Sequence, residues 1–72
     1  MDYSRGRFQV VDAQNKNIGQ IDCDEFIRDN HARPIYRLDG DEVYDMKGNL
    51  MGVVDSGVLI SGGDVLLRIF PE

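Results

Sequence analysis

The sequence predicts an all-β protein of four β-hairpin repeats, each of about 15–17 residues, in a pseudo-four-fold arrangement. Three observations predict this fold class: the composition, a four-fold repeat of apolar segments, and turn residues at matching positions. Ten Asp and eight Gly, against two Ala, three Glu and two Lys, favour strands and turns over helices. The 72 residues are enough for one domain, so we expect residues 1–72 to fold as a single unit.

Each repeat consists of an apolar run, a polar turn and a second apolar run. The second runs end at residues that are 17, 16 and 15 positions apart, namely Ile21, Leu38, Val54 and Ile69. The polar residues that open the turns follow with steps of 17, 16 and 16, and they are Asp12, Asp29, Asp45 and Ser61. We therefore place hairpins at approximately residues 8–22, 26–39, 43–55 and 58–70.

The turn segments have the chemistry of β-turns, because an Asp or Ser side chain can accept a hydrogen bond from the backbone two residues on. Pro34 begins the second run of its hairpin, where its missing N–H costs least. A single hairpin is marginally stable in water, so the four must pack as a ring, a stack or one continuous meander. A rival interpretation is a short helix over residues 22–30, in which Asp22 and Glu25 form a capping box.

Two repeats resemble those of a known family. Residues 32–39 and 47–55 are similar to the Gly-x-Pro-φ-x-x-φ-Asp hairpin repeats of the bacterial four-fold β-flower proteins, and residues 43–45 fit the strand-then-Asp opening of that family. The resemblance covers about residues 8–70, although Asn17 replaces the Pro in the first repeat and the fourth lacks the closing Asp. It implies four hairpins around a pseudo-four-fold axis and a role in binding or sensing, with no catalytic residues.

The charge pattern excludes several classes of partner. The net charge is −5 and the Lys and Arg residues are scattered, whereas binding to phosphate backbones needs clustered cations. An acidic surface is equally unsuited to anionic membranes, and no apolar run approaches the ~20 residues that span a bilayer. The N-terminus has no apolar signal segment, and Cys23 has no second cysteine to pair with. We expect a cytoplasmic protein that binds neither nucleic acid nor membranes.

The residues with catalytic or metal-binding chemistry form no recognisable constellation. His31 is expected in a solvated turn, and the acids around Cys23 disfavour a reactive thiolate, so we expect a half-buried structural thiol there. Zinc needs more Cys and His ligands than the chain offers, and residues 39–42 lack the twelve-residue calcium loop. We therefore expect no metal, no cofactor and no enzymatic activity.

Three acids recur at equivalent corners of the repeats: Asp22, Asp39 and Asp55. In a four-fold arrangement they form an acidic rim, which either binds a cation or amine or simply caps the links between hairpins.

Strand alternation places two sets of residues on opposite faces of the second strands. One set, Gly19, Tyr36, Gly52 and Leu67, alternates small and large; the other consists of Gln20, Arg37, Val53 and Arg68. The first set is expected to pack around a crowded axis or to line a small pocket there. The aromatic side chains of Tyr36, Tyr44 and Phe26 are the natural walls of such a pocket.

The function that these features favour is a non-enzymatic binding or interaction module. We expect it to associate with itself, as a homodimer, or with another protein, because the apolar residues 65–70 would form a surface that needs cover. The alternative is a sensor that binds a small-molecule ligand in a pocket at the pseudo-symmetry axis.

Overall fold

The computed structural model describes residues 3–72, in which eight antiparallel strands close into a barrel after a 3-10 helix at Tyr3–Arg5. The strands are β1 (Arg7–Asp12), β2 (Asn17–Asp22), β3 (Phe26–Arg28), β4 (Pro34–Asp39), β5 (Glu42–Asp45), β6 (Leu50–Asp55), β7 (Val58–Ser61) and β8 (Asp64–Pro71). Each strand pairs with its neighbours in sequence, and β1 also pairs with β8. The all-β prediction of four hairpins is confirmed, and they form a ring.

The second hairpin excludes the rival helix. Residues 26–28 form β3, which pairs with β2 on one side and with β4 on the other. Asp24 accepts a hydrogen bond from the backbone N–H of Phe26 at 3.1 Å, which fixes the entry into this strand. Pro34 is the first residue of β4, as the sequence predicts.

The hairpin turns are stabilised by the predicted Asp side chains. Oδ1 of Asp12 accepts hydrogen bonds from the backbone N–H groups of Gln14 and Lys16, each at 2.9 Å. Asp29 and Asp45 bind the residues two and four positions on in the same way. The fourth turn is tighter and uses two left-handed glycines, Gly62 and Gly63, with φ of 60° and 87°.

Every hairpin also contains a β-bulge at the same position. The register shifts between Val10 and Val11 in the first hairpin, and equivalent shifts occur in the other three. The extra residue in the second strands is Ile18, Ile35, Met51 or Leu66. All but Met51 of these pack against the core. In the first, second and fourth hairpins the bulge thus adds a partly buried apolar side chain to the core, near the hairpin turn.

The barrel interior is filled by layers to which each hairpin contributes one residue. The layer from the first strands is fully buried and consists of Val10, Ile27, Val43 and Leu59. The layer from the second strands is 0–5 % exposed and consists of Ile21, Leu38, Val54 and Ile69. No polar or charged side chain is buried within residues 3–72. The pseudo-four-fold repeat of the sequence is therefore a repeat of core positions.

The alternation of small and large residues on the inner face also serves packing. The carbonyl oxygens of Arg28 and Ile60 lie where a Cβ atom would project from Gly19 and Gly52. At the two intervening positions, Tyr36 packs against the core and Leu67 is fully buried. Two close backbone contacts therefore alternate with two large side chains around the axis.

The two ends of the barrel differ. The turn end carries the four hairpin turns, whereas the link end carries the connections between hairpins and the 3-10 helix. Tyr3 is buried there and packs edge-on against Phe8, with ring centroids 5.3 Å apart. Its hydroxyl accepts a hydrogen bond from the backbone N–H of Gly57 at 3.1 Å. The N-terminal segment thereby closes part of the link end.

Two expectations about exposure are wrong. Cys23 is exposed rather than half-buried, because the link between β2 and β3 turns at this residue with a φ of 57°. Residues 65–70 do not form a continuous exposed surface, because the bulge places Leu66 and Leu67 on the same, inner side. Within that segment only Phe70 is substantially exposed, at 47 %.

Candidate functional site

The three aromatic residues predicted to line one pocket lie on two different faces of the barrel. Tyr36 is on the inner face opposite Ile27, where it packs against the core. Phe26 and Tyr44 flank Arg37 on the outer face, because these residues are direct cross-strand neighbours. The structure therefore does not bring the three rings together, and their role in ligand binding stays a prediction.

Each aromatic ring on the outer face is in contact with a neighbouring arginine side chain. The guanidinium of Arg37 lies 5.0 Å from the ring centre of Tyr44, and that of Arg28 lies 5.4 Å from the ring centre of Phe26. The hydroxyl of Tyr44 donates to Glu42 at 3.3 Å. Partial desolvation, followed by the charge of Glu42, raises the pKa of Tyr44 above its ordinary value of 10.0. The outer surface around Phe26 and Tyr44 is therefore partly aromatic and partly charged.

The three acids of the predicted rim lie at the link end, each as the last residue of a second strand, and all are exposed. Asp22 forms an ion pair with Arg7 at 3.2 Å, and Asp55 accepts a hydrogen bond from the hydroxyl of Ser56 at 3.4 Å. Asp39 is the last residue of β4, directly before the two-residue link to β5. The fourth equivalent position is occupied by Phe70, so the acidic rim is incomplete.

The remaining titratable candidates stay in turns. His31 is exposed, and its backbone N–H donates to Oδ1 of Asp29 at 2.8 Å. Across residues 3–72, no group of three or more His, Cys, Asp or Glu side chains is arranged to hold a metal ion.

The surface feature that stands out is an apolar area on the outside of β6 and β7. We call it the β6–β7 face and define it by Leu50, Met51, Val53 and Ile60. Three of its side chains are exposed large apolar groups: Leu50 at 54 %, Val53 at 48 % and Ile60 at 38 %. They line a shallow depression of about 500 Å³. Val53 and Ile60 are direct cross-strand partners, which makes the apolar surface continuous across the two strands.

The pseudo-symmetry of the barrel supplies an internal comparison for this face. The positions equivalent to Val53 in the other hairpins carry Gln20, Arg37 and Arg68. The position of Ile60 corresponds to Val11, Arg28 and Tyr44. The same outward strand positions therefore accept polar and charged side chains in this fold, so the apolar residues of the β6–β7 face are not required to form the barrel.

Charged residues of opposite sign flank the β6–β7 face. Glu42 on β5 is the cross-strand neighbour of Val53, on one side of the face. Arg68 on β8 lies beyond Val58 on the other side. Asp55 borders the face at its link end. The face is thus apolar in its centre and charged at its edges, which is the usual composition of a protein–protein interface.

Sequence reasoning missed this face, although one signal for it was present. Among the residues that precede the ends of the second strands, Val53 is the apolar exception beside Gln20, Arg37 and Arg68. The neighbouring contribution of Ile60 depends on the pairing of β6 with β7, which only the structure provides.

Comparison of the chain with known protein families, with curated proteins and with solved structures finds no match. Among residues 3–72, no helix is long and apolar enough to cross a membrane.

Proposed function

We propose that this protein is a non-enzymatic interaction module that forms a symmetric homodimer through the β6–β7 face. The observation that carries the proposal is the exposed apolar pair of Val53 and Ile60, in which Val53 occupies an outward position that is polar or charged in all three other repeats. Contiguous exposed apolar surface with a polar edge is typical of protein interaction sites.

The closed barrel restricts how a partner can bind. Every strand in the described chain has two strand neighbours, so no free edge is available for a further strand to pair with. Association must therefore occur through side chains on an outer face or at one end. The β6–β7 face supplies those side chains without disturbing the barrel.

A second copy of the chain fits the charge distribution of this face. A two-fold axis that runs parallel to the strands places the β5 side of one copy opposite the β8 side of the other. Glu42 of each copy then lies on the same side of the interface as Arg68 of the second copy, and the apolar centres meet. A standard interface covers about 800 Å² of each partner, roughly a fifth of the accessible surface of 4476 Å². Such an interface includes the face together with these flanking charges.

The proposal is tested by replacing Val53 with Arg, the residue that the second and fourth repeats carry at this position. We expect wild-type protein to sediment as a dimer that dissociates on dilution. Val53→Arg should raise the dissociation constant by at least about tenfold, because it places a charge in the apolar centre of the interface. Analytical ultracentrifugation over a dilution series measures both proteins, and native mass spectrometry counts the subunits.

The matched control is Phe70→Arg. Phe70 has nearly the same exposure as Val53, 47 % against 48 %, but lies outside the β6–β7 face. This variant should keep the dimer. A wild-type monomer at all concentrations, or equal weakening by both substitutions, would contradict the proposal.

We further propose that the chain is a member of the four-fold β-flower proteins, located in the bacterial cytoplasm. Four hairpins that contribute equivalent core layers around one barrel axis support this assignment.

A further inference from the structure

Met51 differs in its surroundings from the equivalent residues of the other three β-bulges. The extra residues of the first, second and fourth hairpins are Ile18, Ile35 and Leu66, and all three pack against the core. Met51 is the extra residue of the third hairpin, and it lines the depression of the β6–β7 face instead. It is half-buried, so part of its side chain is open to solvent in a single copy of the chain.

The chemistry of Met51 also differs from that of its three counterparts. The side chains of Ile and Leu contain only carbon and hydrogen, whereas the thioether sulfur of Met is readily oxidised to a sulfoxide. Oxidation converts a flexible apolar side chain into a polar one, and this change disrupts apolar interfaces. Residue 51 is therefore the bulge position at which a chemical modification can change the polarity of the β6–β7 face.

We propose that Met51 is a reversible oxidation site that controls the dimer formed through the β6–β7 face, an inference that rests on the proposed function. The oxidant is a peroxide. The sulfur forms a bond to one oxygen of hydrogen peroxide, the O–O bond breaks, and the second oxygen leaves as water, so that sulfur is oxidised by two electrons and the peroxide is reduced. A sulfoxide reductase restores the thioether by oxidising a dithiol to a disulfide and releasing the oxygen as water.

The effect on the dimer follows from the residues around the sulfoxide. Its oxygen would lose hydration when two copies meet, and the side chains that define the face with it, namely Leu50, Val53 and Ile60, carry no hydrogen-bond donor. Oxidation of Met51 should therefore raise the dissociation constant by at least about tenfold. Conversely, the dimer covers Met51, so peroxide should reach its sulfur mainly in the dissociated chain.

The test compares the dissociation constant before and after mild treatment with hydrogen peroxide. All proteins carry Cys23→Ser, because the exposed thiol of Cys23 would also react. Analytical ultracentrifugation measures association, and mass spectrometry of peptides locates the added oxygen. Treatment with dithiothreitol and reductases for both sulfoxide epimers should return the dissociation constant to within about threefold of its starting value.

Two substitutions assign the effect to one sulfur atom, and each variant is compared with itself before and after peroxide. Met51→Leu should not respond to peroxide. Met46→Leu is the matched control, because Met46 is 49 % exposed in the same hairpin but does not line the depression. It should respond as the parent does. Met1, which lies outside the described residues, is present in both variants, so an effect of its oxidation would persist in Met51→Leu.

The oxidation rates provide a second readout. Above the dissociation constant Met51 should be oxidised several-fold more slowly than below it, whereas the rate at Met46 should not depend on protein concentration. Val53→Arg should remove the protection of Met51. A dimer whose dissociation constant is unchanged after full oxidation of Met51, or a response that persists in Met51→Leu, overturns this inference but not the dimer. A protein that is monomeric before peroxide is added overturns the proposed function as well.

Discussion

At the scale of single residues, two glycines show how closely the strands of this barrel approach. Gly19 and Gly52 have no positive φ, so any residue could adopt their backbone conformation. Their restriction comes from the carbonyl oxygens of Arg28 and Ile60, which occupy the space of a Cβ atom. We expect Gly19→Ala to destabilise the protein by about 1–3 kcal/mol, which is the usual cost of adding a group to a well-packed interior. Urea unfolding followed by circular dichroism measures this change.

A suitable control is Gly62→Asn in the fourth turn. Gly62 has a φ of 60° with no atom within 4 Å of an added Cβ, and Asn tolerates this conformation. The control should remain within about 1 kcal/mol of wild type. If Gly19→Ala is as stable as the control, the close contact between β2 and β3 is not present in solution.

The Asp residues of the turns make stability depend on pH. The side chain of Asn49, together with backbone N–H groups, holds the pKa of Asp45 below its ordinary value of 3.8. A carboxyl whose pKa is lower in the folded state stabilises the protein above the unfolded pKa. This stabilisation is lost as the pH falls through the folded pKa. Hydrogen bonds from Arg33 and His31 lower the pKa of Asp29 as well.

We therefore expect the melting temperature of wild-type protein to fall between about pH 5 and about pH 2. Asp45→Asn keeps an oxygen that accepts the turn hydrogen bonds but does not titrate, so its melting temperature should fall less. Replacing both Asp29 and Asp45 by Asn should reduce the dependence of the melting temperature on pH further. If the melting temperatures of wild type and the double variant fall equally with pH, these two Asp residues do not contribute to the loss of stability in acid. Thermal melts at one fixed protein concentration provide the comparison.

At the scale of the hairpin, comparison of the repeats identifies Ala32 as a residue whose backbone conformation is unfavourable for its residue type. The residue that ends the β-turn is left-handed in three hairpins: Asn15 with φ 66°, Ala32 with φ 65° and Gly48 with φ 87°. An Ala in this region is strained, whereas Asn and Gly adopt it readily. Ala32→Gly should therefore stabilise the protein by about 0.5–1 kcal/mol, measured by urea unfolding.

Ala13 is the matched control, because it lies in the equivalent turn of the first hairpin without a positive φ. Ala13→Gly should destabilise the protein slightly, by up to about 1 kcal/mol, since glycine adds only freedom to the unfolded chain. Destabilisation by both substitutions would argue against a left-handed residue at position 32.

The hairpins were predictable from the sequence because their signals are local. Asp12, Asp29 and Asp45 act on backbone groups within four residues, and the apolar alternation of a strand is read directly. The bulges were not predictable, because the extra residue is defined by pairing with the opposite strand. Leu66 illustrates the consequence: strict alternation from Leu67 would place it outside, whereas the bulge directs it to the core. The expected apolar surface at residues 65–70 was wrong for this reason.

At the scale of the whole molecule, comparison of the four similar hairpins distinguishes residues that the barrel requires from residues that it does not require. The inner layers are apolar in all four repeats, which is the requirement of the barrel. A departure from symmetry lies in the third and fourth hairpins, where Val53 and Ile60 form the β6–β7 face. This face was not visible as a site in the sequence, because it depends on residues from two neighbouring strands.

The orientation of the proposed dimer follows from the charges beside its apolar centre. If the two-fold axis runs parallel to the strands, Glu42 of one copy lies on the same side of the interface as Arg68 of the second copy, whereas an axis across the strands brings like charges together. Glu42→Arg alone and Arg68→Glu alone should each raise the dissociation constant by about threefold to tenfold, because a like-charge contact replaces an attraction. The double variant should return to within about threefold of wild type.

Sedimentation of the four proteins completes this double-mutant cycle, with Phe70→Arg as the substitution outside the interface. High salt should reduce the effects of both single charge reversals, because these groups are partly exposed and their interaction is screened. If neither single charge reversal weakens the dimer, Glu42 and Arg68 do not face each other; this is the result expected for an axis across the strands, where each reversal only replaces one like-charge pair by another. The apolar centre at Val53 and Ile60 would then carry the association alone, with Glu42 and Arg68 left outside the complementary contact.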